Sequence, residues 1–124
     1  MKQNLVSLAF SEEDLAALDA ALDVVEEKLS GLVALTSDEV RALFKMGEKS
    51  EVFCRTVVDL LGQHPQVVTP ALGLEEAISD LAALDALRPR VRRLRILAGK
   101  GEDTQLALGA DVMTIALEGY VMTQ

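Results

Sequence analysis

The sequence predicts an all-α protein: an antiparallel four-helix bundle with an extra short helix before the second long helix. Three observations predict it. Leu and Ala dominate a chain that is 50% hydrophobic yet carries only three Phe, one Tyr and no Trp, and unbranched side chains lose little rotamer freedom in a helix. Apolar residues recur at 3- and 4-residue spacing, the period of one helix face. Start and stop signals then cut this pattern into segments of similar length joined by short or moderate loops, which favours antiparallel neighbours. A chain of 124 residues reads as one domain, residues 11–124, expected to bury about two-thirds of its unfolded surface.

Residues 1–10 are read as an extended N-terminal arm. The stretch "NLVSLAF" is apolar and β-compatible, and it precedes the first helix signal. Ser11 then reads as an N-cap, with Glu12, Glu13 and Asp14 in the first turn at the positive end of the helix dipole. In the helix that follows, Leu15, Leu18, Leu22, Val25, Leu29 and Leu32 are spaced 3, 4, 3, 4 and 3, a heptad seam. The expected helix is 12–34, roughly 35 Å long.

Thr36 and Glu39 have capping-box spacing, and a short helix is expected over 37–45. "KMGEKS" at 45–50 invites comparison with a phosphate-binding loop. That motif needs a glycine directly before the lysine and another five residues earlier, after a buried strand. Here those positions are Glu48 and Leu43, and "SDEVRALF" is a helical pattern. The stretch reads as a helix junction. The next helix begins at Glu48, presents Phe53, Val57, Leu60 and Leu61, and runs to about Gly62. His64-Pro65 ends it, because a residue before proline is pushed out of the α region.

"HPQVVTPALG" is a loop. A third long pattern begins near Leu74 with Ile78, Leu81, Leu84 and Leu87. Pro89 inside it must kink or divide the helix, and the pattern resumes through Val91, Leu94 and Leu97. The glycines of "AGKGED" are read as a break, giving helices over 74–98 and 102–122, each close to the first helix in length. In the last one Leu106, Gly109, Met113, Ala116 and Tyr120 share a face, and Gly109 and Ala116 would admit a close neighbour.

Several of these segments together resemble a family of small, uncharacterised bacterial all-helical proteins. They are "SEEDLAALDAAL", "KMGEKS", the turn at Pro65, "ALRPR" around Pro89, and "EDT" before "LGADVMTIALEGY". The resemblance covers residue 10 to the end. It departs before "KMG", where the family pattern has proline and this chain has Phe44. It implies a helical fold and carries no activity.

Composition excludes several chemistries. The net charge is −8, and an acidic chain is a poor non-specific ligand for nucleic acid or anionic membrane. No stretch approaches 18 consecutive apolar residues. The N-terminus does not read as a signal peptide, and a single cysteine makes no internal disulfide, so a cytoplasmic location is expected. A di-metal centre of the ferritin type needs two Glu-x-x-His pairs; there is one histidine, with Leu61 three residues before it. His64 reads as a side chain beside exposed helix carbonyls. Cys54 reads as a buried, inert thiol, and no base accompanies it. No nucleophile, base and oxyanion group assemble, so no catalytic residue, cofactor or metal ligand is nominated.

Charge distribution is the remaining signal. Arg88, Arg90, Arg92, Arg93, Arg95 and Lys100 are half of the 12 basic residues, while the first helix holds seven acids against Lys28 alone. The candidate interaction surface is Arg88, Arg92, Arg93 and Arg95 with Leu5, Leu8 and Phe10 of the arm. The expected function is a non-catalytic interaction or assembly protein that forms a homodimer or binds another protein. The alternative is a carrier or sensor of a small apolar ligand held within the bundle. An enzyme whose site forms only between subunits is a third reading.

Overall fold

The computed structural model describes residues 6–124, which contain four α-helices, two 3₁₀ turns and no strand. The helices are α1 (Glu12–Lys28), α2 (Ser37–Ala42), α3 (Glu48–Gln63) and α4 (Leu74–Met122), with the turns Pro65–Val67 and Pro70–Leu72 between α3 and α4. The all-α class holds. The chain divides into two units, residues 1–34 with 96–124, and residues 35–95.

Local signals place the helix starts. The Ser11 hydroxyl accepts from the Asp14 N–H at 3.0 Å. Thr36 and Glu39 form a reciprocal capping box, with bonds of 3.0 and 3.1 Å, and hydrogen bonding from the Thr36 backbone N–H, then from its side chain, holds the Glu39 carboxyl below its ordinary range. Gly47 caps α3 in an extended conformation, and its carbonyl accepts from the Glu51 N–H at 2.8 Å. "KMGEKS" is therefore a junction: Lys45 and Met46 lie outside any helix and Glu48 opens α3.

Two helices are shorter than their patterns predict. α1 ends at Lys28, not at residue 34. Leu29 closes it, and a turn from the Leu32 N–H to the Leu29 carbonyl at 3.0 Å takes the chain out at Ser30-Gly31. Both residues favour turns over helix interiors, so the last seam position, Leu32, lies beyond the helix. α2 ends at Ala42, not at residue 45, because Leu43 is already extended.

The largest difference from expectation lies in α4. Residues 99–102 do not break the chain into two helices; α4 is one helix of 49 residues. Among the described residues the only glycine with positive φ is Gly73, at 78°, so Gly99 and Gly101 keep right-handed geometry. Each costs about 1 kcal/mol relative to Ala. Extending an existing helix adds a hydrogen bond per residue with no new nucleation cost. The helix also runs through Pro89. There the Arg90 guanidinium donates to the Ala86 carbonyl at 2.6 Å, one residue beyond the Asp85 carbonyl that proline leaves without its i+4 donor.

The two kinds of glycine should respond oppositely to alanine. A Cβ would meet nothing within 4 Å at Gly73 or Gly101, so backbone conformation decides the outcome. Gly73→Ala should destabilise by about 1 kcal/mol through its left-handed backbone. Gly101→Ala should stabilise by about the same amount as a helix-interior change. Urea unfolding midpoints check both; a destabilising Gly101→Ala would mean that the helix breaks there.

In the 35–95 unit, α3 and the first part of α4 form an antiparallel hairpin. Glu51 pairs with Arg88, and Arg55 with Asp85, so positions rise along one helix as they fall along the other. Cys54, Val57, Val58 and Leu61 of α3 are half-buried, as are Leu74, Ala77, Leu81, Leu84, Leu87 and Val91 of α4. In the other unit every residue of α1 is exposed. Among the described residues none is fully buried.

Candidate interaction surface

The hairpin's charge network was not foreseen from the sequence, although its parts are spaced for it. Glu51 and Arg55 stand four apart on α3, and Asp85 and Arg88 stand three apart on α4, so each pair lies on one helix face. Two Arg88 nitrogens donate to Glu51 at 2.7 and 2.8 Å, and Arg55 Nε donates to Glu51 Oε2 at 2.8 Å. Arg55 also grips Asp85 with bonds of 2.6 and 3.1 Å. Bidentate geometry and a shared carboxylate set this network apart from isolated surface pairs. The Arg88 and Arg55 hydrogen bonds pull the Glu51 carboxyl from its usual 4.5 to about 2. Arg55 likewise lowers Asp85.

This network redistributes the candidate surface. Arg88 is held by Glu51 and faces α3. No carboxylate among the described residues pairs with Arg90, Arg92, Arg93 or Arg95. The reason is register. Arg95 lies two turns beyond Arg88 on the same line of α4, but α3 begins at Glu48, three residues before the partner of Arg88. Leu8 and Phe10 lie in the non-helical segment before α1, 49% and 57% exposed. Leu5 lies outside the described residues.

The apolar faces are open. Leu15, Leu18, Leu22 and Val25 of the α1 seam are all exposed, Leu22 at 46%. Along α4 the exposed set includes Leu94, Leu97, Leu106, Val112, Met113, Ile115 and Tyr120. Nothing stands within 4 Å of a Cβ built on Gly109, so the close neighbour expected there is not supplied by the described residues. Cys54 is half-buried rather than buried. His64 closes α3, its N–H donating to the Leu61 carbonyl at 3.1 Å.

Among the described residues no helix is long and apolar enough to cross a membrane, and no group of three or more His, Cys, Asp or Glu is arranged to hold a metal ion. No protein-family model, curated protein or solved structure matches the chain.

Proposed function

We propose that the protein is a self-assembling interaction protein, a homodimer whose helices complete a bundle only when two chains come together. The observation that carries this is the open seam of α1: Leu15, Leu18, Leu22 and Val25 stand at heptad spacing on one helix face, and all four are exposed. At about 25 cal/mol per Å² of apolar surface, leaving such faces wet is a large penalty against ordering residues at about 1–2 kcal/mol each.

The antiparallel four-helix arrangement enters here as a property of the assembly. An α1 seam with apolar residues at a and d positions is built to meet another helix, and α4 does not turn back to supply one. A dimer is the smallest closed assembly that provides it.

Native mass spectrometry with sedimentation equilibrium tests the reading. The expected result is a dimer mass with no added ligand, and concentration-dependent loss of helicity on dilution. A folded monomer that melts cooperatively at micromolar concentration would overturn it. An extra mass of a few hundred daltons, lost on denaturation, would turn attention to an apolar ligand within the bundle.

A further inference from the structure

We infer that α1 of one copy docks on α4 of a second copy beside Val91 and Leu94, with its acidic edge against Arg90 and Arg95. This rests on the self-assembly reading and specifies which faces meet.

The order of charges along α1 defines the partner it needs. With Leu15, Leu22 and Leu29 at heptad position a, and Leu18 and Val25 at d, Glu12, Asp19 and Glu26 fall one per heptad at position e. Asp14 falls at g. The e and g positions border the apolar seam and choose its partner. None of these acids is in an ion pair among the described residues, and every residue of α1 is exposed.

α1 is a poor partner for itself. Parallel pairing sets g against e, which brings Asp14 to Asp19 of the other copy. Antiparallel pairing sets e against e and g against g, which brings Asp19 to Asp19 and Glu12 to Glu26, offset only in part by Asp14 against Lys28. In both, like-charge pairs outnumber opposite ones and disfavour the pairing. The seam therefore calls for a helix with a basic border.

α4 carries one. Leu87, Val91 and Leu94 follow at spacings of 4 and 3, giving positions d, a and d. Arg90 then falls at g and Arg95 at e, one on each side of the stripe. Leu87 and Val91 are half-buried beside the hairpin, while Leu94 is 39% exposed. Neither Arg90 nor Arg95 has a carboxylate partner among the described residues. An acid-bordered seam without a partner occurs in the same chain as two arginines without a carboxylate, which flank a stripe that is open at Leu94. In a dimer each copy offers the other one acidic seam and one pair of unpaired arginines.

Charge reversal by mixing tests this. One variant carries Glu12→Lys, Asp19→Lys and Glu26→Lys; the other carries Arg90→Glu and Arg95→Glu. Each alone is expected to raise the dimer dissociation constant about tenfold or more. Co-refolded as an equimolar mixture they should form a heterodimer in preference to either homodimer, since one of its two interfaces then joins the reversed charges to each other and the other keeps the original pairing of signs. The mixture stays informative even where a variant does not fold alone, because mass spectrometry of the co-refolded sample reads the heterodimer directly. Homodimers as tight as the unaltered protein, or a mixture with no heterodimer preference, would overturn the docking inference while the self-assembly reading stands. An unaltered protein that is monomeric would overturn both. Recovery only when all five changes share one chain would place the pairing within a chain and overturn the second-copy occupant.

Discussion

Leu22→Asp is expected to dissociate the dimer and melt α1. Leu22 is the central a position of the seam. In a lone chain, where Leu22 is 46% exposed, an aspartate there would cost no more than about 0.5 kcal/mol, like other surface changes. In an assembled seam the change forfeits about 2 kcal/mol of leucine burial and adds the desolvation of an unpaired carboxylate. The cost recurs at each of two symmetric sites, and each step of about 1.4 kcal/mol is a factor of ten in dissociation constant. The expected loss is therefore more than about a hundredfold in affinity. Ala20→Asp, on the face of α1 opposite the seam, is the matched control and should leave assembly intact. Sedimentation equilibrium and circular dichroism on the two variants decide the matter. Equal behaviour would mean that the seam meets nothing.

Glu51→Gln is expected to remove a component of stability that is lost in acid. The Arg88 and Arg55 hydrogen bonds hold the Glu51 carboxyl at about 2 in the folded hairpin, below its ordinary 4.5. A folded-state value below the unfolded one stabilises wherever the group is ionised in both states. The contribution is thus fully present above about pH 4.5 and is lost as pH falls through about 2. Other carboxylates titrate in the same window, including the acids of α1, so the difference between the unaltered protein and the Glu51→Gln variant is the quantity to follow. Thermal midpoints measured from about pH 7 down to about pH 2 should show the unaltered protein higher at neutral pH, with the gap closing between about 4.5 and 2. A gap that persists to the acid end would assign the effect to packing rather than to the ion network.

Much of the local structure is legible in neighbouring residues. The Ser11 cap, the Thr36–Glu39 box, the start of α3 after Gly47, its stop before Pro65 and the start of α4 at Leu74 all follow from residues within about four positions of one another. Capping and proline sterics act over that range, so the sequence alone determines them. The same holds for the acidic border of the α1 seam, which is a matter of spacing.

The tertiary structure decided the rest. Whether two glycines stop a helix depends on their cost against that of nucleating a new helix, and at 99–102 the structure shows that α4 continues. Whether Arg88 belongs to a docking surface depends on Glu51, 37 residues away, and therefore on the register of the α3–α4 hairpin. Register also explains why Arg95, one heptad further, is left without a carboxylate. The open apolar faces came from the same source: composition promised enough hydrophobic residues for a core, but only the structure shows that the α1 seam is exposed among the described residues. A periodic pattern records that a helix face must be covered, and carries no information on which chain covers it.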